Sequence, residues 1–161
     1  MDDNRSNVDD RCTVAVFHEN PPLDDIFAIR RQVFIEGQGV PETEEFDGED
    51  EDAIQFLATV DGTPVGTARL RSPAPGVGKV ERVAVLDAFR GHGVGRSLMA
   101  AVEAVAIEDG REKLRLHGQV AAEAFYHSLG FERTSDVYEE VGIPHVTMEK
   151  NVPGDPNGTD R

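Results

Sequence analysis

The stretch 79–99, KVERVAVLDAFRGHGVGRSLM, limits what this chain can fold into more than any other segment. Val80, Val83, Ala84 and Val85 read as an apolar strand, and a helix follows from about Val94. Between them lies a loop rich in glycine, Arg90-Gly91-His92-Gly93-Val94-Gly95. A strand that feeds such a turn and then a helix start builds a site for phosphate. Glycines let the backbone turn sharply and come close to a ligand. The first N–H groups of the helix have no internal partner and point at the anion, aided by the positive end of the dipole. The plainer reading of the same residues is a β–α turn that binds nothing.

Two common phosphate loops fit badly. A Walker A loop has a glycine five residues before Gly-Lys-Ser/Thr; here Gly95-Arg96-Ser97 has Arg for Lys, and the earlier position is Arg90. A dinucleotide fingerprint needs a third glycine, but Gly91 and Gly93 lead to Arg96, and Gly93 and Gly95 lead to Leu98. Nucleotide binding by this loop is weakened on both counts. Arg-x-x-Gly-x-Gly does fit, on Arg90, Gly93 and Gly95. That pattern resembles the acetyl-CoA pyrophosphate loop of the GNAT N-acetyltransferases.

Charge narrows the choice of partners. Sixteen basic against thirty-one acidic residues in 161 give a formal charge of −15. Such a surface repels nucleic acid and anionic membranes, so neither is an expected partner. Coenzyme A is itself a polyanion, and Arg90, His92 and Arg96 supply a local exception at the loop. Much of the acid lies in runs, the longest from Glu42 to Asp52, read here as solvated surface. It lacks the register of a calcium-binding loop. Acid excess with three lysines suggests adaptation to salt. Cys12 is alone, so no disulfide framework exists, and the five histidines lack zinc-ligand spacing; no metal is expected. With no long apolar run and no signal sequence, the chain reads as cytoplasmic.

Organisation follows from pattern. The acidic residues 1–11 and the tail 152–161 are expected to be flexible, leaving one domain over 12–151. Residues 13–17 read as a strand. Pro21-Pro22 opens a helix with Ile26, Ile29, Val33 and Phe34 on its apolar face. Residues 54–60 and 64–71 are strands joined by Asp61-Gly62, a hairpin signal, and 72–78 reads as a Pro/Gly connection. The helix 94–108 precedes a strand at 113–116, a helix at 121–129, and strands from 131 and over 145–150. The order β-α-β-β-β-α-β-α-β-β makes an α/β fold: a mixed central sheet with helices on both faces.

That order matches the GNAT fold, and two further segments resemble the family. Gln119-x-x-Ala122-x-x-Phe125-Tyr126-x-x-x-Gly130-Phe131 is similar to a family segment of Asn, then Phe-Tyr, then Leu-Gly-Phe, with Gln119 in place of Asn. Tyr138-Glu139-Glu140-Val141-Gly142-Ile143-Pro144-His145 and Arg31-Gln32-Val33-Phe34-Ile35-Glu36 resemble the ElaA/YjcF-like branch.

The resemblance implies acetyl transfer from acetyl-CoA to an amine. It sets the pantetheine arm along Val83, Ala84 and Val85. The pyrophosphate would lie on amides of Gly91, His92, Gly93, Val94, Gly95, Arg96 and Ser97, with Arg90 and Gln119 beside the cofactor. Tyr126 is the expected general acid, since a phenol of pKa about 10 stays protonated and can meet a leaving thiolate. Glu81 is the expected general base, through water. Strand alternation places it with Val83 and Val85 on one face, opposite Val80, Arg82 and Ala84; an Arg-paired structural carboxylate is its alternative. His117, Tyr138 and His145 are expected to shape the acceptor pocket, and at most one of Glu139 and Glu140 can attract a cationic amine. A homodimer is left open. The competing reading is an acyl-CoA-binding module without turnover, which the pair Glu81 and Tyr126 argues against.

Overall fold

The computed structural model describes residues 11–153. The fold is of the mixed α/β class, mostly antiparallel strands flanked by helices. Its elements form two compact units that interleave along the chain: Met1–Arg69 with Arg82–Val102, and Leu70–Glu81 with Glu103–Arg161.

The first unit opens with β1 (Cys12–Phe17), then α1 (Leu23–Arg30), a π-helical segment (Arg31–Glu36) and the four-residue α2 (Glu42–Glu45). β1 pairs antiparallel with β2 (Ile54–Val60), from Cys12 opposite Val60 to Phe17 opposite Gln55. Asp61 and Gly62 both have left-handed φ, 52° and 84°. That is the twist a tight hairpin requires, and it delivers the chain into β3 (Thr63–Ala74). Ile26, Ile29, Val33, Leu57 and Ala84 form the core here, with Phe17, Leu23, Phe27, Phe34 and Leu86 packed against them. Of the helical face read from the sequence, Ile26, Ile29 and Val33 are therefore buried and Phe34 partly so. The second half of that face winds as a π-helix, which a 3.6-residue period does not foresee.

β4 (Val77–Val85) follows β3 directly. The Pro/Gly connection expected over 72–78 is instead strand on both sides, with Gly76 at φ 77° in the turn. Arg82 has φ 57°. This left-handed residue interrupts the pleat, so the simple alternation from Glu81 to Val85 does not hold across it.

In the second unit the start of β4 runs parallel to β5 (Lys113–Gln119), residues 77–80 against 113–116. β4 continues to Val85 after the last of these pairs. β5 pairs antiparallel with β8 (Ile143–Asn151), which also takes β6 (Glu132–Arg133) and β7 (Tyr138–Glu140). β7 adds a short strand to the expected order. Leu114, Leu116, Val146 and Met148 are buried, while Arg115, His117, Thr147 and Glu149 alternate with them on the other face. Between β5 and β6 lie a 3-10 turn (Val120–Ala122) and α4 (Glu123–Ser128). Val152, assigned to the flexible tail by sequence, is buried and donates its N–H to Glu112 O at 2.9 Å. The flexibility expected of residues 1–10 and 154–161 lies outside the described residues.

Candidate acetyl-transfer site

The glycine loop leaves β4 through Leu86, whose N–H bonds to Val65 O at 2.9 Å. A 3-10 turn, Asp87–Phe89, follows, and then Arg90. The Arg90 side chain does not project freely. Its Nε donates to Val85 O at 3.1 Å and its Nη1 to Asp87 at 3.3 Å, tying the loop to the strand end. Gly91 and Gly93 have φ of 80° and 89°. Left-handed residues in a turn aim successive N–H groups into one concavity, the geometry of an anion nest. α3 (Val94–Glu108) begins at the expected residue, and Ser97 N–H closes its first turn onto Gly93 O at 3.0 Å. Gly66 lets that turn lie close: a Cβ there would stand 3.1 Å from Ala84 O, Val94 Cγ1 and Leu98 Cδ1.

Tyr126 lies on α4 with its ring buried, edge-on to Phe125 and Phe131 at centroid distances of 5.1 and 6.0 Å. Burial pushes its phenol up to about 12, so the proton stays on oxygen at neutral pH. The ring lies along Gly118 of β5.

On the other face of β5 the three expected acceptor residues come together. Tyr138 stands edge-on to His117 at 5.8 Å and stacked with His145 at 6.2 Å. Its hydroxyl is 3.1 Å from Thr147 Oγ1. His145 is opposite both Gln119 of β5 and Tyr138 of β7. Its Nδ1 is 2.7 Å from Ile143 O. Of the adjacent glutamates, Glu140 reaches this cluster, with Oε1 at 3.2 Å from His117 Nδ1. That hydrogen bond outweighs burial and, with the charges of His117, His145 and Lys79, holds its carboxyl below the ordinary range.

Glu81 is ion-paired, 3.2 Å from Arg71 and 3.0 Å from Lys79. This is the arrangement given above as its structural alternative.

The acidic run 42–52 is not uniformly solvated surface, as the sequence suggested. Glu45 and Asp50 are buried against Arg30, with Glu45 Oε2 2.7 Å from Arg30 Nε. Arg69 bridges Asp47 at 2.7 Å and Asp50 at 3.0 Å, and Arg82 reaches Glu45 at 3.1 Å and Asp47 at 3.2 Å. Burial alone would raise the Asp47 and Asp50 carboxyls. The hydrogen bonds and charges of their arginines override it and hold both below the usual range. Glu45 differs: burial outweighs Arg82 and Arg30, and its carboxyl is raised. Three acids and three arginines neutralise one another, which leaves a structural device. Among the described residues no cluster of three or more side chains could hold a metal, and no helix is long and apolar enough to cross a membrane.

Comparison with known proteins shows the family and the fold. Residues 30–152 match the acetyltransferase (GNAT) domain family. The chain is 38% identical over 131 residues to the N-acetyltransferase YjcF of Bacillus subtilis, covering 80% of this chain and 92% of that one. The crystal structure of Escherichia coli ElaA superposes with a TM-score of 0.78 at 28% identity, covering 86% and 99% of the two chains. A GNAT acetyltransferase from Elizabethkingia anophelis, solved with acetyl-CoA bound, shares the fold at a TM-score of 0.71 and 17% identity, covering 89% and 99%. A glycine nest after an interrupted β4, a buried tyrosine beside β5 and a match across most of the sequence lead to one assignment: the chain belongs to the GNAT acetyltransferase family.

Proposed function

We propose that the protein transfers the acetyl group of acetyl-CoA to a primary amine of a small molecule or protein, by direct attack in a ternary complex. The observation that carries the reading is the pair of left-handed glycines, Gly91 and Gly93, between β4 and the first turn of α3. In this reading the pyrophosphate rests on amides of residues 91–97. The pantetheine arm follows Val83, Ala84 and Val85, the part of β4 beyond its pairing with β5, and a main-chain N–H there polarises the thioester carbonyl. Arg90 acts by ordering the loop, and Gln119 lines the cofactor's path. Tyr126 gives its proton to the departing thiolate. His117, Tyr138 and His145 form the wall against which the amine rests, and Glu140 supplies the charge that draws an ammonium there. The proton acceptor is either Glu81 through a water or a histidine of that wall.

Calorimetry with acetyl-CoA, followed by a primary-amine panel with thiol detection of released CoA, tests the reading. Saturable binding and amine-dependent thiol release support it. Absence of acetyl-CoA binding by the intact protein overturns it, and binding without turnover of any amine returns the chain to the acyl-CoA-binding module.

A further inference from the structure

We propose that Nε2 of His145 takes the proton from the attacking amine. The inference rests on the acetyl-transfer reading above and names its base. The Ile143 carbonyl can only accept a hydrogen bond, so Nδ1 of His145, 2.7 Å away, carries the proton. In the neutral ring the lone pair then belongs to Nε2. Among the described residues, Gln55 Oε1 is the buried side-chain polar atom that lacks a partner. Nε2 of His145 is not among such atoms and has no hydrogen-bond partner among the described residues, so it is not fully enclosed. His145 as a whole is 6% exposed, with its ring stacked on Tyr138. A buried ring with its tautomer set and its lone pair unengaged is prepared to accept a proton.

The groups around it favour the same task. Tyr138 and Glu140 come from β7, and His117 and Gln119 from β5. The charge of Lys79 reaches Glu140 from β4. Glu140 is ionised at neutral pH and attracts an ammonium to the ring. Glu81, by contrast, is held by Arg71 and Lys79. A proton arriving there would have to displace two cations from the carboxylate.

The step balances as follows. The ammonium gives one proton to Nε2, and the freed nitrogen attacks the thioester carbonyl carbon. The C–N bond forms, the C–S bond breaks and the electron pair leaves on sulfur, which takes the Tyr126 proton. The second proton lost by the nitrogen restores the phenol through water, and the imidazolium releases its proton to solvent.

His145→Asn keeps an N–H able to donate to Ile143 O but has no titrating nitrogen. Measured with tyramine, spermidine and lysine methyl ester, its kcat should fall by about 10²–10⁴-fold, with acetyl-CoA affinity unchanged by calorimetry. The acidic limb of its pH–rate profile should vanish, while Glu81→Gln keeps that limb. A limb that survives in His145→Asn, whatever the rate, overturns the proposal, as does its loss in Glu81→Gln. Failure of the wild-type protein to bind acetyl-CoA would sink the acetyl-transfer reading itself. If the wild type binds acetyl-CoA but acetylates none of the three amines, ¹⁵N-histidine NMR decides: an Nδ1–H tautomer at His145 supports the assignment, and an Nε2–H tautomer overturns it.

Discussion

Gly118 has no side chain where the ring of Tyr126 lies. A Cβ at that position would come 3.4 Å from Tyr126 Cδ2 and 3.0 Å from Leu116 Cδ1. A larger residue must therefore push the tyrosine or the leucine aside. Gly118→Val should cost about 1–3 kcal/mol of stability through overpacking. It should also lower kcat more than Leu116→Val does, because its branches press on Tyr126, the proposed proton donor, as well as on the core. Urea unfolding and steady-state rates on the two variants test this; equal rates in both would free Gly118 of any link to Tyr126.

Tyr126→Phe keeps the packing against Phe125 and Phe131 and removes only the hydroxyl. The variant should fold and bind acetyl-CoA, with kcat lower by about 10²-fold and KM little changed. The phenol also carries a stability signature. Its folded value, about 12, is above the ordinary 10. This contribution is fully present below pH 10 and is lost as the pH rises from 10 to 12, because the unfolded chain ionises first. Unfolding midpoints should fall over that window in the wild type and fall less in Tyr126→Phe.

Gly93→Asp forces a side chain and a negative charge into a residue with φ of 89° in the loop. Acetyl-CoA binding should disappear in calorimetry. Gly91→Asn is the milder comparison. A Cβ there meets nothing within 4 Å, and Asn tolerates left-handed φ. It should bind with at most a modest loss.

Asp50→Asn leaves Arg30 and Arg69 short of a buried counter-charge. Removing one partner of such a network costs about 3–5 kcal/mol, and a fall of that size in urea unfolding is expected. The Asp47 and Asp50 carboxyls, held low by their arginines, contribute stability above the ordinary aspartate range. That contribution is lost as the pH falls through the range toward their folded values. Glu45, raised by burial, works in the opposite direction and softens the acid transition.

Val141 sits in the β7–β8 turn with φ of 47°, exposed and β-branched. Left-handed backbone costs an L-residue about 1–2 kcal/mol, and asparagine tolerates it better. Val141→Asn should raise the melting temperature. If kcat/KM for a genuine acceptor falls at the same time, the valine is kept for contact with that acceptor.

What could be read from the sequence was local. Gly93 marks the loop ahead of α3 because glycine accepts the left-handed φ the chain has there, and Asp61-Gly62 marks the β2–β3 turn for a similar reason. As candidate site residues, Tyr126, Tyr138 and His145 were legible through motifs spanning a few residues each. The long-range pairings were not. The acidic run looked solvated because its arginines lie elsewhere in the chain, at 30, 69 and 82. The distortion at Arg82 was hidden because valine-rich strands with and without a bulge have the same composition. The ion pairs of Glu81 with Arg71 and Lys79 depend on a hairpin whose turn was read as a connection. His145 stood in a motif, but its tautomer depends on the carbonyl two residues back, which a sequence does not show.

The interleaving of the two units has a consequence for biosynthesis. A nascent chain released from the ribosome as far as Arg69 already carries Glu45, Asp47 and Asp50 with Arg30 and Arg69, but not Arg82. Leu70–Glu81, twelve residues of the other unit, must be made before Arg82 can close the network, and the first unit has all its segments only when Val102 has emerged. No single stop codon or protease cut can release either unit whole. Dissection of this enzyme into halves would therefore require co-expressed fragments or relinking of the segments of each unit, since circular permutation preserves the alternation.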